Sequence, residues 1–295
     1  MAPKRIDTRT TCSSISTCLH QHGAVRFQQR MQAQMPEING ELPKSIRERA
    51  RFEVFAGVPA LVVHPSFASD GAMHEKPAPV LLWMHGRTAN KELDPGRYLR
   101  LMRAGIATVA VDLPGHGARF DDARTQPERA LEVVEQMVGE IDAVVHAMLA
   151  TQWFVPTRVA LGGMSAGGMA TLVRLCREHS FHAACVECTT GSFAWQRHRA
   201  MFDAVRAARL DPIAHLDEWR DIPLLMLHNT LDSWVAVEGQ REFMEALRVH
   251  GLASNAQLHE YDETGAPFEH AGFGRFGADA KDRQTNFLVK HLRDS

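Results

Sequence analysis

The sequence predicts an α/β fold with a mostly parallel central sheet, helices on both faces and a short cap segment. From about residue 50 onward, short runs rich in β-forming residues alternate with helical stretches, a pattern typical of a parallel sheet covered on both sides. The run at residues 80–84 is apolar throughout, as expected of a strand with both faces buried. No Pro- or Gly-rich linker and no internal repeat divides this region. We therefore predict one domain over residues 50–295, after a flexible N-terminal extension over residues 1–49.

The elements follow one another in a regular order. Two short β-rich runs flank Gly57 and predict an opening hairpin. Pro127 suits the first turn of a long helix, in which apolar residues such as Leu131, Val134 and Val138 recur every three or four positions and form one core-facing stripe. The other predicted helices lie at residues 96–104, 166–177, 238–250 and 281–293, and the predicted strands at 51–55, 59–63, 80–84, 106–111, 158–162, 182–187, 222–227 and 256–261.

Composition and charge narrow the class of protein. The chain of 295 residues has a net charge of −2, so no broad electrostatic field favours nucleic acid as a partner. No apolar run approaches the roughly 18 to 20 residues of a membrane span. The five cysteines are scattered, and Cys185 and Cys188 lie in a run that predicts a buried strand rather than a redox or zinc site. The first 35 residues lack the apolar core of a secretory signal, so we expect a cytoplasmic protein.

The segment over residues 189–221 is the least regular part of the predicted domain. It lies between two predicted strands and is rich in apolar side chains, among them Phe193, Trp195, Met201 and Phe202. In one interpretation these side chains belong to an ordinary crossover helix packed on the sheet. In the other, the segment is a small cap whose aromatic residues form one wall of a substrate pocket, and a crossover helix can do both.

The strongest chemical signal is Gly163-x-Ser165-x-Gly167 between a predicted strand and a helix. A sharp strand-to-helix turn needs small neighbours and presents the serine hydroxyl above the edge of the sheet. The same turn leaves the amide of Ala166 unpaired at a helix N-terminus, where an anion is favoured. Ser165 is therefore the predicted nucleophile, and the Ala166 amide a predicted oxyanion donor.

A serine nucleophile needs a base, and the base needs an orienting acid. Where the serine lies on such a turn, the acid and then the histidine follow in chain order, each after a late strand. Asp232 and His270 occupy these places. Glu187, at the end of the preceding strand, is the alternative acid. His259 lies inside the last strand, from which its side chain has no route to the sheet edge.

A second oxyanion donor is expected after an early buried strand. Gly86 there lets the backbone turn so that the amide of Arg87 faces the site, opposite the amide of Ala166. His85 is interpreted as structural, holding this loop by hydrogen bonds.

As a set, these motifs resemble the α/β-hydrolase superfamily over about residues 50 to 293. The motifs are His85-Gly86, Asp112-x-x-Gly115-His116-Gly117, Gly163-x-Ser165-x-Gly167, His228-x-x-x-Asp232-x-x-Val235 and the late His270. The nearest branch is similar to small bacterial esterases related to dienelactone hydrolases and to the catalytic domain of prolyl oligopeptidases. Dienelactone hydrolases carry cysteine where Ser165 stands, which argues against that activity. Asn229 and Ala236 stand where many relatives have glycine and proline.

The resemblance implies a serine esterase that cleaves small carboxylic esters through an acyl-enzyme, without a cofactor or metal. A peptidase or amidase of the prolyl oligopeptidase type is the alternative, because the same triad cuts amides. Those relatives carry a large N-terminal propeller, whereas about 50 residues precede the first predicted strand here. A non-catalytic binding protein on the same fold is the third hypothesis.

Overall fold

The computed structural model describes residues 42–68 and 76–293. Eight strands of these residues form one sheet in the order β1-β2-β4-β3-β5-β6-β7-β8. The pairs β1–β2 and β2–β4 are antiparallel and the other neighbours are parallel, so the predicted mostly parallel sheet is confirmed. The strands are β1 (Ala50–Phe55), β2 (Val58–Val63), β3 (Ala78–Met84), β4 (Ala107–Val111), β5 (Phe154–Met164), β6 (Ala183–Glu187), β7 (Leu224–Asn229) and β8 (Ala256–Tyr261).

The antiparallel edge begins with the predicted hairpin. Phe55 pairs with Val58 across a two-residue loop. Both loop residues, Ala56 and Gly57, have positive φ, as the tight turn that matches strand twist requires.

Eight α-helices of the described residues accompany the sheet. They are α1 (Lys44–Arg47), α2 (Pro95–Arg103), α3 (Asp122–Thr125), α4 (Ala130–Ala150), α5 (Ala166–Leu175), α6 (Ala204–Leu210), α7 (Val237–Val249) and α8 (Gly277–Leu292). The long helix expected from Pro127 begins with a 3-10 turn, Pro127–Arg129, and continues as α4. Helices α4, α5 and α7 contribute to one core cluster, and α2 and α8 to the other.

Strand β3 shows why both faces of the sheet must be covered. Its side chains alternate between the faces: Val80 and Leu82 belong to the core of α4 and α5, whereas Leu81 and Trp83 belong to that of α2 and α8. All of them are at most 3% exposed. Burial of such a side chain contributes about 1.5–3 kcal/mol, so the sheet is stable only between two helical layers.

Residues around the expected domain boundary are partly described. The prediction for residues 1–41 lies outside the described residues. Leu42 and Ile46, which fall within the expected extension, are buried, and α1 lies on the α2 side of the sheet. The domain boundary at residue 50 stays a prediction.

The segment over residues 189–221 connects β6 to β7. It contains a 3-10 turn (Phe193–Gln196), α6, and a second 3-10 turn (Pro212–Ala214). Leu210 is buried in the core, and Arg206 and Arg209 pair with Glu135 of α4. The segment therefore packs along one helical layer.

No helix of residues 42–68 and 76–293 is long and apolar enough to cross a membrane. The same residues hold no group of three or more His, Cys, Asp and Glu side chains that could bind a metal ion. Cys185 and Cys188 are buried free thiols, in agreement with their interpretation as strand and core residues.

Candidate active site

Three predicted residues meet at the carboxyl edge of the sheet. Ser165 directly follows β5, Asp232 lies in the loop after β7, and His270 lies in the loop after β8. The carboxyl ends of parallel strands share one edge, where ligands of open α/β sheets bind. Chain topology therefore brings together side chains that lie far apart in sequence.

The turn at Ser165 is strained and tightly packed. Ser165 has φ 51° and ψ −116°, a region costing about 1–3 kcal/mol for a residue other than glycine. Two hydrogen bonds hold the turn. The Ser165 N–H donates to the Glu187 carbonyl at 2.9 Å, and the Ser165 carbonyl accepts from Thr189 Oγ1 at 2.8 Å. A Cβ on Gly167 would lie 2.4 Å from the Met84 carbonyl oxygen. Glycine is thus needed where helix α5 approaches β3.

Hydrogen bonds join the three side chains in a row. His270 Nε2 lies 3.0 Å from Ser165 Oγ, and His270 Nδ1 lies 2.7 Å from Asp232 Oδ2. A carboxylate hydrogen-bonded to Nδ1 favours the imidazole tautomer whose proton lies on Nδ1. In that tautomer Nε2 accepts from the Ser165 hydroxyl, which is the arrangement a general base requires.

The Asp232 carboxylate is fully engaged. Its Oδ1 accepts from the amides of Trp234 and Val235, each at 2.8 Å. Burial by itself would raise the pKa of Asp232, but the charge and hydrogen bond of His270, together with His228 at 3.5 Å, lower that pKa to about 2. Asp232 is therefore ionised at neutral pH and can stabilise an imidazolium.

The alternative acid Glu187 has a different partner. Its two carboxylate oxygens accept from Nη1 and Nη2 of Arg97, both at 2.8 Å. Burial alone would lower the pKa of Arg97, but Glu187 and Asp94 outweigh it and raise that pKa. The carboxylate at His270 is thus that of Asp232, and Glu187 belongs to a buried ion pair.

The loop after β3 runs over the serine. A Cβ on Gly86 would lie 3.3 Å from Ser165 Cβ, so this glycine permits a close approach. His85 donates through Nδ1 to the Gly86 carbonyl at 2.7 Å and accepts at Nε2 from the Leu113 amide at 3.1 Å. Acceptance at Nε2 requires the neutral ring, and burial lowers the pKa of His85 to about 4. The placement of His85 agrees with the structural role expected for it.

The two predicted oxyanion donors flank this contact. Arg87 follows Gly86, and Ala166 is the first residue of α5. Within the described part of the chain, neither backbone amide has a hydrogen-bond acceptor. Unpaired donors beside a nucleophile can bind a developing oxyanion.

The predicted pocket residues are more scattered. Phe193 is 1% exposed inside the core, so its assignment to a pocket wall is wrong: the core leaves no face of this ring for substrate. Trp195 is 41% exposed and donates through Nε1 to Glu242 of α7 at 2.8 Å. Met201 and Phe202 are half-buried against the core. No described contact joins these side chains to Ser165.

Sequence reasoning missed the aromatic neighbours of the histidine. The Trp234 ring stacks on the His270 ring, with centroids 5.1 Å apart, and on the Phe268 ring, with centroids 5.3 Å apart. The available signal was the position of Trp234, two residues after Asp232 in the loop after β7, called the acid loop below.

Asn229 holds the loop that carries His270, a placement that the sequence did not indicate. Its buried Nδ2 donates to the carbonyls of Glu269 at 2.6 Å and Gly272 at 2.9 Å, which lie on either side of His270 in the chain. Phe268 and Glu269 both have positive φ, so the loop needs such support. The sequence signal was an amide side chain at the end of β7.

Comparisons with known proteins identify the family and the fold. A model of the "Alpha/beta hydrolase family" matches residues 80–280. Esterase YjfP of Escherichia coli (strain K12) is 24% identical over 212 residues, which cover 66% of this chain and 83% of that protein. The structure of TT1662 from Thermus thermophilus has a TM-score of 0.63 and 20% identity, covering 81% of this chain and 98% of that chain.

A peptidase structure is similar to the same region. The puromycin-hydrolyzing peptidase of Mycobacterium tuberculosis has a TM-score of 0.65 and 20% identity, covering 86% of this chain but 41% of that chain. At such identities the structural similarities show the fold, and the chain spans less than half of that peptidase.

Proposed function

This chain belongs to the alpha/beta hydrolase family, and on that premise we propose that it is a serine esterase that cleaves small carboxylic esters. The observation that carries the proposal is the hydrogen-bonded row of Ser165 Oγ, His270 and Asp232, with distances of 3.0 and 2.7 Å. A serine hydroxyl is a weak nucleophile at neutral pH unless an oriented base accepts its proton. This row supplies both the base and its orientation.

Acylation begins when Ser165 Oγ attacks the ester carbonyl carbon and its proton moves to His270 Nε2. Asp232 keeps the proton of Nδ1 in place and stabilises the imidazolium that forms. The amides of Arg87 and Ala166 donate to the oxyanion, and each such donor contributes about two to three orders of magnitude in rate. When the tetrahedral intermediate collapses, the alcohol leaves with the proton from Nε2.

Deacylation repeats these steps with water as the nucleophile. His270 Nε2 takes a proton from the water that attacks the acyl-enzyme, and returns it to Ser165 Oγ as the acid product leaves. The same residues therefore act in both halves of the reaction, and neither half requires a metal or cofactor.

A peptidase or amidase is the second candidate, because a peptidase structure is among the similar folds. The ester is favoured by the extent of the matches. The similarity to an esterase extends over 83% of that protein, whereas the similarity to the peptidase extends over 41% of it. Part of the peptidase thus has no counterpart in this chain.

Labelling with a fluorophosphonate probe tests the proposal. We expect one adduct, mapped by mass spectrometry to the peptide containing Ser165, and no adduct in Ser165→Ala or in heat-denatured protein. A 4-nitrophenyl butyrate assay beside the matched 4-nitroanilide then separates esterase from amidase. An adduct on another serine, or none, would contradict the assigned nucleophile. A comparable kcat/KM for the anilide would favour the amidase.

A further inference from the structure

Two half-buried arginines beside the candidate site lack a carboxylate partner. Elsewhere, arginines with little exposure face one: Arg97 pairs with Glu187, Arg119 with Glu140 and Arg174 with Asp142. Arg87 and Arg199 donate to backbone carbonyls and form no ion pair with any residue that the structure describes. Desolvated charges in proteins are ordinarily paired or bind a ligand, so these two cations are candidates for binding one.

Arg87 lies at the loop over the nucleophile. Its Nη1 donates to the Thr125 carbonyl at 2.9 Å, and its guanidinium carbon lies 5.9 Å from the ring centroid of Trp234. Burial lowers the pKa of Arg87, and Glu128 opposes this electrostatically without forming an ion pair. The positive charge is thus held close to the acid loop by a neutral acceptor and an aromatic ring.

Arg199 reaches the same loop from the segment between β6 and β7. Its Nη2 donates to the Ser233 carbonyl. Its Nε is buried and has no acceptor among the described residues. Asp232 acts on Arg199 electrostatically, but the oxygens of Asp232 already accept from His270 and two backbone amides. Arg199 therefore keeps an unused donor and a charge without an ion-pair partner among the described residues.

The two guanidinium groups converge on adjoining residues. Arg199 contacts Ser233, and Arg87 lies over Trp234, whose ring stacks on His270. The positive charges thus lie on the loop that carries the proposed acid Asp232, next to the ring that stacks on the proposed general base. A guanidinium matches the planar oxygens of a carboxylate and keeps its charge at any physiological pH.

From this geometry we infer that the ester substrate carries a carboxylate, which Arg87 and Arg199 bind beside the scissile bond. The inference rests on the proposed esterase function and names its substrate class. A charge-assisted hydrogen bond in such a site contributes about ten- to a hundredfold in affinity. The two cations determine the sign of the charge that they bind. The carboxylate can belong to the acyl or to the alcohol part of the ester.

Two pairs of esters test this inference and distinguish the two parts. For the acyl part, the monoanionic 4-nitrophenyl glutarate is compared with its neutral methyl ester. For the alcohol part, 4-acetoxybenzoate is compared with methyl 4-acetoxybenzoate. Each kcat/KM is divided by the rate of uncatalysed hydrolysis of the same ester. We expect the anionic member of at least one pair to be preferred by about tenfold or more, and the preference to shrink as salt is added.

Matched variants assign the preference to the two arginines. Arg199→Gln and Arg87→Gln, which retains the Arg87 amide, should each lower the anionic-to-neutral ratio by about tenfold. Arg197→Gln, an exposed position on the same segment, should keep the wild-type ratio. Equal or better hydrolysis of the neutral esters, or ratios unchanged in both variants, would overturn the inference while the esterase function stands. Hydrolysis of none of the four esters would overturn both.

Discussion

The ring of Trp234 stacks on the ring of His270, with centroids 5.1 Å apart and an angle of 28° between the planes. The backbone amide of Trp234 also donates to Asp232 at 2.8 Å. One residue therefore contacts both the proposed acid and the proposed base. An aromatic face stabilises a nearby cation by about 0.5–2 kcal/mol, and the base becomes a cation at each transition state of the proposed mechanism.

Trp234→Ala should therefore lower kcat for 4-nitrophenyl butyrate by about 2- to 30-fold, the kinetic equivalent of that stabilisation. Trp234→Phe, which retains an aromatic face, should lose less. Trp153→Phe is the control, because Trp153 precedes β5 and packs on Phe67. A wild-type kcat in Trp234→Ala would show that the stack has no part in turnover.

Asn229 offers a second prediction about the histidine loop. Asn229→Ala removes the bonds to the carbonyls of Glu269 and Gly272, so His270 should lose its orientation. Because small displacements at a reacting centre are costly, we expect kcat to fall by about ten- to a hundredfold with a smaller change in KM. Asn229→Asp should do no better, since a carboxylate cannot donate to these carbonyls.

The matched control for Asn229 is Thr230→Val. Thr230 is the next residue, and its hydroxyl bonds Asp262 at an exposed position. Steady-state kinetics and thermal unfolding should be measured on all three variants. A lower Tm with an unchanged kcat in Asn229→Ala would make the residue purely structural.

The two candidate acids predict opposite phenotypes. Asp232→Asn should lower kcat by about four orders of magnitude, because an amide favours the wrong imidazole tautomer. Glu187→Gln should retain most of the activity but lower the free energy of unfolding by about 3–5 kcal/mol, since it leaves Arg97 without its buried partner. The reverse order of activities would move the acid to the end of β6.

The contrast between these sites shows which features a sequence can predict. The turn at Ser165 is local: small residues, a preceding strand and a following helix all lie within one stretch of chain. The pairing of Arg97 with Glu187 joins residues 90 positions apart, so no local pattern indicates it. The same holds for Asn229, whose partners depend on where the loop after β8 returns.

The segment over residues 189–221 shows a further limit of local patterns. Its aromatic content indicates burial but does not say which ring faces the core. The structure buries Phe193 and exposes Trp195, although the two rings are two positions apart on one 3-10 turn. A helical turn this short presents its side chains in different directions, and only packing decides between them.

His85 predicts a pH dependence of stability. Its pKa is lowered from 6.5 to about 4 by burial, so between these values the unfolded chain binds a proton that the folded protein does not. This stabilisation is fully present above pH 6.5 and is lost as the pH falls towards 4, at about 1.4 kcal/mol per pH unit. The free energy of unfolding, measured by urea at several pH values in this range, should rise with pH. Its slope against pH should be smaller in His85→Gln by the equivalent of about one proton. Equal slopes in the wild type and in His85→Gln would show that His85 is not held as a neutral ring in the folded protein.

The assignment of Ser165 as the nucleophile is tested most directly by the kcat of Ser165→Ala with 4-nitrophenyl butyrate, measured on protein whose thermal unfolding matches wild type. The hydroxyl lies 3.0 Å from His270 Nε2, and its loss leaves the base with nothing to activate. We expect kcat to fall by about five to six orders of magnitude, as for the loss of a nucleophile that acts as a unit with its base. A folded Ser165→Ala protein that retains more than about a hundredth of the wild-type kcat would contradict the account.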